Sequence, residues 1–442
     1  MIPGWQFHIQ PVTDIFPSCA VNLNSSDGLD KRYETKSAQL ADNAYCLWNR
    51  GELLCSKKAD IVKLKQLPPP TLKDEYIFIR KYWGYVWSIY VLIFRLACFK
   101  NPVKELKSFF STRHINKFDT TNVQASTLYA NFKSSLIDAA PLIAVIIPTL
   151  NRYEYLKDAL KDLEEQKYKN IEVIVVDQSD QFDDELYKSF NLNIKVIRQQ
   201  EKELWTARNK AVEITEADYL LFFDDDSRVS NDWVIQHLKC IDYFNADISA
   251  GVSLSVIGSK IPENYNCFRW ADQFDSGNAM VKREVFQRIG LFDEQFNGLR
   301  MGDGEFGFRC YKNGYKSISN PLASRVHYKA SGGGLREMGS WDGFRPKKWF
   351  APKPIPSVLF LYKKYLPNHL FKHAILKGII LSNVPYKYKS SSKMLVLSIL
   401  LSIIKLPLLY LQYKKAEKIA LQMLKKDNGI WLLKDSIAQH AI

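Results

Sequence analysis

The sequence predicts an α/β fold over the middle of the chain, a mostly parallel sheet flanked by helices, with an extra N-terminal region and a basic helical C-terminal region. Three observations carry that expectation. Leu142–Ile147 is an unbroken apolar run, as a strand buried on both faces requires. Strand-like and helix-like patterns alternate from there to about residue 330. The apolar segment Tyr219–Phe223 ends in three adjacent carboxylates, Asp224-Asp225-Asp226.

The elements follow in order. Tyr153–Gln166 carries Tyr155, Leu156, Ala159, Leu160 and Leu163 at helical spacing. Ile171–Val176 and Ile194–Ile197 read as the second and third strands. Glu203–Ile214 reads as a helix, and Tyr219–Phe223 as the next strand. Such a βαβ succession implies right-handed crossovers, and ligands in these sheets bind beyond the carboxyl ends of the strands.

Composition sets the frame around this core. The chain has 442 residues, 46% hydrophobic and 24% charged, which suits one large core or two modest ones. Seven scattered cysteines form no Cys-x-x-Cys pair, which points to a reducing compartment and away from a disulfide framework. The first residues show no basic start followed by an apolar run, so no secretory leader is expected. The net charge of +14 is uneven. From Arg345 onward there are 18 Lys/Arg against 3 Asp/Glu, leaving 43 against 44 elsewhere. A basic tail suits an anionic membrane surface or nucleic acid.

Three regions are expected: 1–138, an accessory region of unassigned fold; 139–344, the α/β domain; and 345–442, the basic, partly amphipathic helical tail. An aromatic-rich helix is expected near 76–99. Its charge-free stretch, Tyr82–Phe94, has 13 residues, short of the roughly 20 that span a bilayer. Two readings of it stand, an interfacial helix and a buried core helix. Met394–Leu411 is apolar but interrupted by Lys405 and Pro407. It reads either as an amphipathic or re-entrant surface segment, or as part of a helical subdomain packed on the core.

The residues that follow each strand carry the chemistry. After the first come Pro148, Thr149, Asn151 and Arg152, whose polar groups and helix amides can hold a base or phosphate. After the second comes Asp177, placed to accept from a nucleobase or ribose. Asp224, Asp225 and Asp226 repel one another unless a cation neutralises them. Mg²⁺ or Mn²⁺ would do so and would bridge a diphosphate. The bland alternative is a solvated acidic turn with Ser230 capping the next helix.

In sum these stretches resemble glycosyltransferase family 2, whose members have the Rossmann-like GT-A fold. The matching segments are IAVIIPTLNR (143–152), IEVIVVDQS (171–179), TARNKAV (206–212), ADYLLFFDDDSRVSNDW (217–233), SGNAMVKREVFQRIGLFDEQF (276–296) and GDGEFGFRCYKNGY (302–315). The resemblance implies a metal-dependent, inverting transferase that moves one sugar from a nucleotide diphosphate-sugar, with uridine the expected base. Thr149 and Arg152 then approach the base and ribose, Asp177 reads the base, and Arg208 and Asn209 lie near the base and diphosphate. Asp224 and Asp226 match the DXD pair, with Asp226 the direct ligand. Gly277 and Asn278 lie beside the donor sugar and acceptor. Asp303, six residues before Arg309, matches the general base, and Glu305 is the alternative. The Glu that usually precedes that Asp is Gly302 here.

Transferases of this fold often place a histidine near the metal, a position that His327 would fill. The glycines of Ser331–Arg336 suit a phosphate loop or lid, with Arg336 as a clamp on the diphosphate. The Gln-x-x-Arg-Trp motif of processive synthases is absent, which favours single-sugar addition. The expected acceptor is a glycan or lipid-linked sugar, used in surface polysaccharide synthesis. The expected location is the cytoplasmic face of the inner membrane, by peripheral association with an anionic surface and without nucleic acid. A sugar-phosphate nucleotidyltransferase would need a glycine-rich basic loop after the first strand, where Pro-Thr-Leu-Asn-Arg stands. A non-catalytic membrane or nucleic-acid binder would leave the aspartates unexplained.

Overall fold

The computed structural model describes residues 29–49, 66–118, 127–255, 258–262, 265–271, 274–328, 343–346, 348–366, 368–385, 388, 391–426 and 429–433. The chain divides into two compact units. One comprises Met1–Phe132, Pro262–Ala271 and Tyr311–Ser319; the other comprises Lys133–Ile261, Asp272–Cys310 and Asn320–Ile442.

The first unit is largely helical where described. Helix Leu72–Trp83 starts in a capping box in which Thr71 accepts from the Asp74 amide and Asp74 accepts from the Thr71 amide. Its face of Ile77, Phe78 and Tyr82 packs on Ala38, Leu40, Ala41 and Tyr45 of helix Lys36–Asn49. The single aromatic helix expected near 76–99 is in fact two helices. Gly84 has φ of 85°, a conformation that breaks the helix and that side chains resist. The second piece, Tyr85–Ala97, leaves Tyr85 and Ile93 exposed. The first piece thus fits the buried reading, and the second is only partly buried.

The second unit holds the sheet. Its strands are β1 (Ile143–Thr149), β2 (Ile171–Asp177), β3 (Ile194–Arg198), β4 (Tyr219–Phe223), β5 (Ser227–Val229), β6 (Ile248–Leu254), β7 (Arg269–Trp270), β8 (Asn278–Lys282) and β9 (Ser317–His327), though β7 and the start of β9 belong to the first unit. The order is β3-β2-β1-β4-β8-β6-β9-β5, with β7 on β9. Pairing is parallel across β3-β2-β1-β4, as the apolar runs of the sequence predict. Beyond β4 the described pairings are antiparallel, so the sheet is mixed. β1 and β2 are buried along their full lengths. Leu156, Ala159, Leu160 and Leu163 of helix Tyr153–Glu164 cover one face.

Mixed pairing has a direct consequence for chemistry. Because β8 runs against β4, Phe223 pairs with Asn278 and the start of β8 meets the carboxyl end of β4. A polar strut fixes this junction. The Asn278 amide donates to the Val252 and Ala323 carbonyls and accepts from Trp233 Nε1 and from His237. The other His237 ring nitrogen meets Ser249 Oγ at 2.9 Å.

His237 lies in helix Trp233–Phe244, has no exposed surface, and burial pulls its pKa down to about 4. The folded state therefore resists protonation, and stability falls as pH drops from 6.5 toward 4. By linkage that loss is about 3 kcal/mol across the interval from 6.5 to 4. His237→Gln is expected to remove that slope. Urea-unfolding free energies measured at several pH values should converge for the two proteins as pH falls; parallel curves would refute the assignment.

Candidate active site

The carboxyl ends of β1, β2 and β4, the start of β8 and the end of β9 supply the candidate site. Register sets it: Thr149 of β1 pairs with Asp177 of β2, and Ser227 of β5 pairs with His327 of β9. The polar residues after these strands thereby converge.

The acidic triplet is not a solvated turn. Asp225 and Asp226 are 4% and 2% exposed. Buried carboxylates this close need positive partners, and the surrounding residues supply them. Asp224 accepts from Arg208 at 2.9 Å through Oδ1 and from Arg325 at 2.8 Å through Oδ2. Asp225 accepts from Thr149 Oγ1 at 2.8 Å. Arg152 reaches Asp225 at 3.4 Å and Asp226 at 3.2 Å through a single nitrogen. His327 Nε2 lies 3.0 Å from Asp226 Oδ1.

Electrostatics differ sharply between neighbours. Burial pushes the Asp225 carboxyl up to about 7; Arg152 opposes the rise, and Asp226 and Asp224 add to it. Burial acts on Asp226 too, yet the hydrogen bond and charge of His327 hold it below the ordinary carboxylate value. Asp226 is the carboxylate kept ionised. Ligand atoms of Asp224, Asp226 and His327 all lie within 4.8 Å of one another. Two carboxylate oxygens and an imidazole form a donor set that suits a divalent ion such as Mn²⁺. Both Asp224 oxygens meet arginines, and the Asp226 oxygens meet His327 and Arg152.

Sequence reasoning passed over Arg325 and Asp275. Arg325 is 2% exposed and donates to Asp224, Ser227, Ser253 and Asp275. A lone arginine in a strand carries no local signal; its spacing of two from His327, on the same strand face, was the available clue. Asp275 stands two residues before Gly277, whose amide it accepts at 3.1 Å.

Other expected residues have distinct places. Asp177 is buried and accepts from the hydroxyls of Tyr153 and Tyr187, each at 2.7 Å, and from the Ser179 amide. Pro148 lies within β1. Asn151 adopts φ of 53° and exchanges hydrogen bonds with Asp180. Asn278 lies within the core, as the strut described above. Arg336 falls outside the described residues.

Helix Leu204–Ile214 grips the segment that precedes helix Gly302–Lys312. The Asn209 side chain bonds to both the amide and the carbonyl of Phe292 and to Glu294. Trp205 donates to the Phe296 carbonyl and, through its amide, to Asn297. Helix Gly302–Lys312 holds the residues just before that segment, since Arg309 donates to the carbonyls of Gly290 and Leu291. Glu305 has no exposed surface and forms a bidentate pair with Arg309, both bonds at 3.0 Å. Asp303 is half-buried at the start of that helix and accepts from the Gly304 amide. Trp205 also accounts for Gly302: a Cβ there would lie 2.3 Å from the indole.

Comparison with known proteins agrees with this geometry. The profile of glycosyl transferase family 2 matches residues 144–292. The chain carries a glycosyl transferase family 2 domain. The nine-stranded mixed sheet with its flanking helices is of the α/β class that the sequence predicts. Glycosyltransferase GlyA of Streptococcus pneumoniae is 35% identical over 113 residues, 25% of this chain and 16% of its own. The chain thus matches about a sixth of that relative's length. A PGL/p-HBAD biosynthesis glycosyltransferase of Mycobacterium bovis is 29% identical over 192 residues, 40% of this chain and 72% of its own. Among solved structures, a Pyrobaculum calidifontis mannosyltransferase in complex with GDP-Man and Mn²⁺ is 17% identical with a TM-score of 0.39, covering 68% of this chain and 79% of that one.

Within the family 2 domain, Gly277 is fixed by its neighbours. An added Cβ would lie 2.1 Å from Asp224 Oδ2 and 2.5 Å from Arg325 Nη1. Gly277→Ala is therefore expected to break the Asp224–Arg325 pair and cost about 1–3 kcal/mol of stability. Urea unfolding checks this, and an unchanged midpoint would show that the site relaxes freely.

Proposed function

We propose that the protein transfers one sugar, with inversion, from a nucleoside diphosphate-sugar to a hydroxyl of a glycan or lipid-linked acceptor. A uridine diphosphate-sugar is the donor we favour, and surface glycan or glycolipid assembly the setting. The observation that carries this reading is the convergence of Asp224, Asp226 and His327 beside Arg208, beyond the carboxyl ends of β1 and β4. Relatives named for PGL/p-HBAD and amylovoran biosynthesis support the choice of acceptor class.

Asp226 and His327 would hold a Mn²⁺ or Mg²⁺ ion, with Asp224 completing the set. Such an ion supplies charge to stabilise a departing diphosphate. The chain's own groups do the remaining work. Arg208 and Arg325 hold the Asp224 carboxylate in one orientation. Arg152 is 14% exposed and spans Asp225 and Asp226, so it can shift toward an incoming phosphate. Asp303 accepts the proton of the acceptor hydroxyl as that oxygen attacks the anomeric carbon from the face opposite the diphosphate. Glu305 is ill suited to this role, because its carboxylate is buried and committed to Arg309.

Two variants test the assignments. Asp226→Ala is expected to abolish the Mn²⁺-dependent rise in melting temperature given by nucleotide-sugars. Persistence of that rise would sink the metal assignment. Asp303→Asn is expected to keep donor binding and lower kcat by about 10²–10⁴-fold. Near-native turnover would move the base elsewhere.

A further inference from the structure

The C-terminal helices present a surface that the transfer reaction does not use. Between Asp342 and Glu417 the sequence contains no acidic residue. Helix Ser392–Ile404 and helix Leu406–Lys425 meet at Lys405 with a bend of 79°. No single described helix is long and apolar enough to cross a membrane. At the bend the apolar side chains face outward: Ile403, Ile404 and Leu406 are 65%, 75% and 63% exposed. Val396, Leu400 and Tyr410 extend the same exposed surface. A contiguous apolar surface of this kind is uncommon on a soluble face and marks an interaction site.

A cavity of about 360 Å³ opens beside the bend. Among the described residues, four cations line it, Arg345, Lys348, Lys353 and Lys405, and no carboxylate does. The cavity is built from fixed backbone. Gln412 donates to the Trp349 carbonyl, the Ile355 amide to the Gly343 carbonyl, and Arg345 to the carbonyls of Leu381 and Val384. Lys405 lies 5.6 Å over the Trp349 ring, and that ring is 72% exposed. A positive cavity, an exposed tryptophan and an apolar bend stand together. This is the order met along an interfacial lipid, from phosphate headgroup through glycerol region to acyl chain.

We propose that the cavity binds the phosphate headgroup of an anionic lipid, and that the apolar bend around Ile403–Leu406 inserts into the membrane interface beside it. The charge fixes the choice of occupant. A second copy of this chain would bring the same cations to the same place, and a neutral partner would offer the positive lining no counter-charge. A free phosphate would satisfy the cavity yet leave the bend uncovered.

Vesicle flotation of the full chain tests this without donor or acceptor, so its result is independent of the transfer reaction. The expected result is binding to phosphatidylglycerol-containing vesicles and little binding to pure phosphatidylcholine. Lys348→Ala and Lys405→Ala should each weaken binding roughly fivefold, as expected for one lysine at an anionic surface. Ile403→Asp with Ile404→Asp should abolish it while the melting temperature stays near that of the parent. Inorganic phosphate should compete weakly or not at all. Equal binding to neutral vesicles, insensitivity to the lysine substitutions, resistance to alkaline extraction, or concentration-dependent dimerisation without vesicle binding would each overturn the proposal.

Discussion

The site depends on a single constraint: three adjacent carboxylates at the end of β4 must be held in a nearly dry environment. Unpaired, such a cluster would cost several kcal/mol per charge. Its neighbours meet the cost from three directions. Arg208 comes from a helix, Arg325 from β9, and Arg152 from the loop after β1. None of these is near the triplet in sequence. The fold brings them together because parallel strands end at one level and β8 and β9 return antiparallel to that level. Sheet topology and charge compensation are therefore one requirement.

Division of labour within the triplet follows from partners more than from position. Asp225 faces Thr149 and lies deep enough for burial to dominate. Asp226 faces His327 and stays ionised. Asp224 is gripped at both oxygens by arginines. Three identical side chains thus acquire three chemistries, and the repeated letter in the sequence hides the difference.

What the sequence revealed, and what it hid, divides along the same line. β1, β2 and β4 were legible because strands buried on both faces need unbroken apolar runs. The antiparallel half was harder to read. β6, β8 and β9 carry Ser249, Asn278, Asn320 and Arg325 inward, and the polar partners that license them come from other elements. The break at Gly84 escaped notice because hydrophobic periodicity continues through it, and only the backbone angle reveals it. Asp224 and Asp226 were legible as candidates because they follow an apolar strand, and His327 was so from the family resemblance. Arg325 and Asp275 were not, since a buried ion pair leaves no periodic trace.

The grip of Trp205 and Asn209 on the segment 292–297 bears on how the protein tolerates change. Arg309 holds the neighbouring carbonyls from the helix that carries Asp303. The backbone from Gly290 to Asn297 is thereby tied to two helices at once. Losses at Asn209 and Arg309 loosen one connected stretch, so their costs to stability need not add.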